Sequence, residues 1–313
     1  MTAKQFLLSK KLSREILFLL FHKKVNRKRI DKEIDAFYQK KEQMMSKMRL
    51  RMKKNIVVSL TSFPVRIAEV QYAVYSMLCQ SVMPEKIILW LSDSQFPNKD
   101  ADLPSRLLSL LCDFFEIRWC RDMRSYKKLV PFLSECTGKS VVICDDDIFY
   151  RKHTLKYLIE AHKKQHDDVI CHIGKRMTFD ENGILLPYER WSWCASCQSE
   201  KTVLPIGGGT VLYPAPVLEK AQLLGREDLF KKLAFYADDI WFWFSVVSAG
   251  FSVTIPKHTY KKMIFVNPER EYGITADFTL AKVNEGKNLN DEQIKNIEAH
   301  FGTSIKQIVE LEI

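Results

Sequence analysis

Long apolar runs are missing from this sequence. The stretch "ILFLLF" (16–21) lies among basic residues and falls far short of the roughly 18 to 20 residues that a membrane-spanning helix needs. No signal peptide is recognisable ahead of the eight cysteines, which are scattered, so a reduced, cytosolic chain is expected. Cys194 and Cys197 form a lone C-x-x-C without the second pair that a structural zinc would use, which leaves two idle thiols. Neither G-x-x-x-x-G-K-[ST] nor G-x-G-x-x-G follows the first apolar strand, so the familiar phosphate loops are excluded. Internal repeats and low-complexity stretches are absent as well.

What is present suffices for a substantial core: 313 residues, 46% of them hydrophobic, can build one large domain or two small ones. The net charge of +10 is concentrated at one end. Residues 1–54 hold 17 Lys+Arg against 5 Asp+Glu, a net +12, which leaves 31 against 33, or −2, for the remainder. In that basic segment Phe6, Leu7, Leu12, Ile16, Leu19 and Leu20 recur near helical spacing. Such a helix can lie on an anionic bilayer surface, or it can pack on the domain or a partner. Nucleic acid is disfavoured, because the body has no recognisable nucleic-acid motif.

From Asn55 apolar strands alternate with helical periodicities. Strands are predicted at 55–60, 86–92, 115–120, 140–144 and 169–173, and helices at 66–80, 103–114, 153–165 and 240–249. This is the pattern of an α/β, Rossmann-like fold with a mainly parallel sheet flanked by helices. The expected organisation is a basic helical extension (1–54), the α/β domain (55–260) and a C-terminal helical extension (261–313).

Ligands of such sheets bind at the carboxyl ends of the strands. There the strand "VVIC" runs into Asp145, Asp146 and Asp147. Two carboxylates separated by one residue can hold a hard divalent cation together with phosphate oxygens, and the cation removes their repulsion. The alternative is an acidic helix N-terminus. A cluster placed directly after a buried strand favours the cation.

"SLTSFPVRI" (59–67), "QSVMPEKIILWLS" (80–92), "DMRSYKKLVP" (122–131), "CDDDIFY" (144–150), "GGGTVLYP" (207–214) and "ADDIWFW" (237–243) follow one another in the chain. In this order they resemble bacterial GT-A-fold glycosyltransferases that build capsule or lipopolysaccharide, some of them galactofuranosyltransferase-like. The resemblance spans about residues 55–256. It implies a hexosyltransferase with a UDP-linked sugar donor, and Mn²⁺ or Mg²⁺ held on the donor diphosphate by Asp145 and Asp147. Asp146 would face the ribose or sugar. Asp239 would be the general base of an inverting reaction and Asp238 its neighbour, in a place where the family carries Glu-Asp rather than Asp-Asp.

The resemblance also implies roles for residues that have plainer readings. Thr61, Ser62 and Arg66 would bind the nucleoside, or else cap the next helix. Arg124, Lys127 or Lys128 would meet the diphosphate, or form a solvated basic face. Gly207, Gly208 and Gly209 would allow close backbone approach to the donor sugar and acceptor, or make a simple turn. His258 would be a third metal ligand, or a surface histidine. Trp191 and Trp193 could stack on an acceptor sugar, or fill the core. The expected partners are a nucleotide-sugar and a saccharide or lipid-linked acceptor, at the cytoplasmic membrane face. Two rivals differ in class. A nucleotidyltransferase would want a glycine-rich phosphate loop after the first strand, and "LTSFPVRI" is not one. A non-catalytic membrane scaffold would have lost the carboxylates.

Overall fold

The computed structural model describes residues 23–257, 263–272 and 288–310. An eight-stranded sheet forms its centre. In chain order its strands are β1 (Met52–Thr61), β2 (Met83–Ser92), β3 (Phe115–Cys120), β4 (Ser140–Ile143), β5 (Val169–Cys171), β6 (Cys197–Glu200), β7 (Val211–Tyr213) and β8 (Val253–Ile255). Across the sheet they lie in the order β3-β2-β1-β4-β7-β5-β8-β6. The pairs β3–β2, β2–β1, β1–β4 and β5–β8 are parallel. Strand β7 runs against both β4 and β5, and β6 runs against β8. The mainly parallel α/β sheet expected from the sequence is therefore present, but it is mixed. Its reversed strand β7 and edge strand β6 were not among the predicted strands.

Both faces of the sheet are covered, because the central strands carry apolar residues at successive positions. Alternation along the strand sends neighbours to opposite sides. Val57, Val141 and Ile143 face one core, while Val58, Leu60 and Val142 face the other. The first core packs under α5 (Asp238–Ser248), α6 (Leu289–Phe301) and α7 (Ile305–Glu310); the second packs under α1 (Arg27–Gln39), α2 (Lys41–Arg49), α3 (Val70–Leu78) and α4 (Thr154–His162). A smaller antiparallel sheet of Val203–Pro205, Gly174–Arg176 and Ser192–Cys194 lies beside them in sequence.

The two terminal segments are not appendages over their described parts. Helix α1 begins where the Asn26 side chain accepts the Arg29 N–H, and it buries Ile30, Ile34 and Phe37 at i, i+4 and i+7. With Met45 and Met48 of α2 these side chains join the second core. Ile294, Ile297, Ile305 and Ile308 of α6 and α7 likewise join the first. Packing on the domain is thus the outcome for residues 25–49. The apolar positions Phe6 to Leu20 lie outside the described residues. Among the described residues no helix is long and apolar enough to cross a membrane.

Removal of residues 1–50 is accordingly expected to abolish folding. It would expose the faces of α3 and of the helix Ser105–Ser109 on which α1 packs, and each large side chain lost from a core costs about 2–5 kcal/mol. Circular dichroism and solubility of the truncated chain test this; a soluble, cooperatively unfolding product would show that the helices are dispensable.

Candidate active site

The carboxyl ends of the parallel strands converge on one rim, where the acidic loop after β4 begins. Asp146 is buried. Its carboxylate accepts hydrogen bonds from Ser62 Oγ at 2.6 Å and from Arg66 Nη1 at 2.8 Å. The same Arg66 nitrogen reaches Asp147 Oδ2 at 3.0 Å. Asp145 and Asp147 are less buried than the residue between them. Ser62 and Arg66, read from sequence as nucleoside contacts or caps, thus tie the acidic loop to the end of β1. Thr61 Oγ1 donates to the Trp90 carbonyl at 2.8 Å. Asp146 is directed at Ser62 and Arg66.

The centre of the site is Lys128, on the turn Arg124–Lys128 that follows β3. Its buried ammonium lies 3.1 Å from Asp145 Oδ1, 2.9 Å from Asp238 Oδ2 and 4.0 Å from Asp239 Oδ1. Burial by itself would depress its pKa, but Asp145, Asp238 and Asp239 outweigh that and hold it well above the ordinary lysine value. Lys127 points elsewhere: it is buried and pairs with Asp122 at 2.6 Å. Arg124 stands over the rings of Phe235 at 5.1 Å and Tyr236 at 4.5 Å. Of the three basic candidates, Lys128 is the one that joins the carboxylates.

Asp238 and Asp239 open the first turn of α5, where the helix dipole favours negative charge. They differ in exposure: the Asp239 side chain is 28% exposed, that of Asp238 10%. Burial pushes the Asp239 carboxyl up to about 7; Lys128 opposes the shift, and the charges of Asp238 and Asp145 reinforce it. The Gly207 N–H donates to Asp239, at 3.3 Å from Oδ1 and 3.2 Å from Oδ2.

Gly207–Gly209 form a tight turn just before β7. Because β7 is reversed, its first residue Val211 pairs with Ile143 at the end of β4 and with Cys171 at the end of β5. The glycine turn therefore reaches the rim that carries the carboxylates. Glycine is needed at 207, where a Cβ would stand 2.6 Å from Lys128 Nζ and 3.0 Å from Asp239 Oδ1. Gly207→Ala should keep the fold, since the lysine tip can shift, but lower the unfolding free energy by about 1–3 kcal/mol through overpacking. Urea titration checks this; a change within error would show that the lysine adjusts without cost.

Sequence reasoning missed two members of the site. Tyr150, five residues beyond Asp145, accepts the Asp145 N–H at 2.8 Å and donates to the Gly208 carbonyl at 3.3 Å, which joins the acidic loop to the glycine turn. Thr210 is fully buried at φ 77°, a strained conformation for a β-branched residue. Tyr150 left a weak signal as an aromatic close behind the acidic run. Thr210 left none. His258 lies outside the described residues. Trp191 is core and donates to the Leu186 carbonyl at 2.8 Å, whereas Trp193 is 67% exposed, with Lys175 Nζ 5.4 Å from its ring. Cys194 and Cys197 form no disulfide.

Five carboxylates and two cationic side chains, Lys128 and Arg66, give this cluster a formal charge of 2 − 5 = −3. Among the described residues no three His, Cys, Asp or Glu side chains form a group that could hold a metal ion. Excess negative charge without an all-protein cage fits a hard cation that takes one or two carboxylates and completes its shell with water and phosphate oxygens. Asp145 and Asp147, the less buried carboxylates of the acidic loop, are the candidates to hold one. A cleft of about 420 Å³ adjoins the cluster across Gly208 and Gly209. The sequence matches no family model, and no curated protein matches it.

Proposed function

We propose that the chain is a metal-dependent glycosyltransferase of GT-A type, moving a sugar from a nucleotide-sugar to an acceptor hydroxyl with inversion. The observation that carries this reading is the meeting of the acidic loop, Lys128, Asp238–Asp239 and the glycine turn on one strand-end rim. Such a rim is where α/β sheets bind ligands. In this reading Asp145 and Asp147 hold Mn²⁺ or Mg²⁺, which when bound offsets the charge that develops on the departing nucleoside diphosphate.

The chain's own residues do the rest. Arg66 and Ser62 fix the acidic loop, so that its two less buried carboxylates keep their spacing. Lys128 holds Asp238 and Asp145 apart while neutralising part of their charge. Asp239 takes the proton from the acceptor hydroxyl, a role that suits a partly exposed carboxyl titrating near 7. The glycine turn lets the Gly207 N–H approach that carboxyl beside Lys128, because no Cβ intervenes. A cytoplasmic, membrane-peripheral location through the basic segment belongs to the same proposal.

The direct test is a panel of nucleotide-sugars scored by nucleoside diphosphate release, with chelator and with Mn²⁺ restored. Metal-dependent release with one donor class is expected. Asp147→Asn should raise the Mn²⁺ concentration for half-maximal release by about tenfold or more, with an unchanged circular dichroism spectrum. Release by every donor at the level of a heat-killed control, or release indifferent to chelator, would overturn the reading.

A further inference from the structure

We propose that the cleft behind the glycine turn is a binding site for a phosphate monoester with an apolar body. At about 420 Å³ it is of small-molecule size, and none of its lining residues is acidic. Its buried walls are Ile148, Tyr150 and Ile173, and half-buried Phe149, Met263 and Ile264 extend them. The more exposed lining is basic: Arg151, Lys152 and His153 follow one another there. An apolar interior with a cationic rim suits an amphiphilic anion rather than a neutral polyol.

The rim is held in place before any ligand arrives. Ser81 donates its N–H to the Lys152 carbonyl at 2.7 Å, Gln80 Nε2 donates to the Arg151 carbonyl at 2.8 Å, and His153 Nδ1 lies 2.8 Å from Ser81 Oγ. Helix α4 starts at the next residue, Thr154, so its positive dipole end adds to the rim. His172 in the wall contributes no charge at neutral pH, because burial pushes its imidazole down to about 4 while Nε2 lies 3.1 Å from the Thr154 carbonyl.

The neighbouring cluster gives the arrangement its sense. The Asp145 carboxylate stands on one side of Gly208, where a Cβ would lie 3.3 Å from Asp145 Oδ2, while Gly208 also lines the cleft. Without a metal ion a phosphate is therefore repelled on one side of the turn and attracted on the other. The site does not depend on sugar transfer; if that reaction holds, its occupant is a second substrate or product lodged beside the reacting centre.

The test is calorimetric titration of the full chain with geranyl phosphate, geraniol and glucose 1-phosphate. Geranyl phosphate is expected to bind at least about tenfold more tightly than either comparator, as one charge-assisted contact and the apolar walls together require. The double variant Lys152→Glu, His153→Glu changes two exposed side chains and should weaken geranyl phosphate by about tenfold or more. Met263→Trp, which fills the cleft, should do the same without touching charge. Both should leave binding of nucleoside diphosphate with Mn²⁺ unchanged. Equal binding of geraniol or of glucose 1-phosphate, or unaltered geranyl phosphate binding in both variants, overturns the site. Geranyl phosphate binding that the variants weaken, in a protein that binds no nucleoside diphosphate, would sustain this site and sink the glycosyltransferase instead.

Discussion

Lys128→Met is expected to be inactive and less stable by about 3–5 kcal/mol, the cost of removing one partner from a buried ionic group. Without the ammonium, Asp145 and Asp238 lose their closest cationic neighbour and, with Asp239, face one another across the space it filled. The pH dependence follows with a definite sign. In the wild type the lysine's pKa is raised, so its contribution is complete at every pH below its ordinary value of about 10.4 and is lost only as pH rises through the folded value. Between pH 5 and 9 that contribution is constant. In the variant, crowded carboxyls are pushed up, so the folded state binds more protons than the unfolded chain and stability falls as pH rises. Urea titrations at pH 5 and pH 8 should show the variant's deficit widening at pH 8. Addition of Mn²⁺ should recover part of it, through preferential binding to the folded state. A deficit that ignores both pH and metal would show that Lys128 acts by packing alone.

Asp239→Asn should lower kcat by about 10²- to 10⁴-fold with little change in donor KM, because a base acting on the acceptor hydroxyl adds little to donor binding. Its effect on stability should run the other way. The Asp239 carboxyl is raised to about 7, so between its ordinary pKa and that value the folded state holds a proton that the unfolded chain has released. Stability therefore falls as pH rises through this window. The asparagine variant escapes that loss and should be more stable than the wild type at pH 8, with the difference shrinking towards pH 4. Asp238→Asn offers the contrast, since Asp238 is bound to Lys128 at 2.9 Å and is the more buried of the two. It should raise acceptor KM and lower stability. If the two variants exchange their kinetic patterns, Asp238 is the base. Near-normal kcat in both would remove the base from this helix and, with it, the main reason for calling the reaction inverting.

Much of this architecture is legible in the chain. Runs such as "NIVVSL" and "KIILWLS" are apolar at successive positions, and only a strand covered on both faces can bury such a run, so the α/β class follows from sequence. The acidic run "DDD" directly after one of these strands marks the candidate site, because ligands of such sheets bind at the carboxyl ends of the strands. Local pattern also distinguishes the helix of Asp238–Ser248, whose apolar residues follow an acidic first turn.

Other features depend on pairings distant in sequence. Val211–Tyr213 is too short to announce its direction, and it is reversed only because it fills the gap between β4 and β5. That reversal, invisible locally, brings the glycine turn to the carboxylates. The choice of Lys128 over Lys127 is likewise tertiary: adjacent residues of a tight turn point to different sides, and only one side holds Asp145 and Asp238. Asp146 could not be separated from its neighbours by type, since its inward role is set by Ser62 and Arg66, 84 and 80 positions away. The sequence by itself determined the kinds of element and the chemistry available, because periodicity and residue type are local properties. Only the tertiary structure decided which charges meet, because the electrostatics of a carboxylate cluster depends on distances of a few ångströms between residues far apart in the chain.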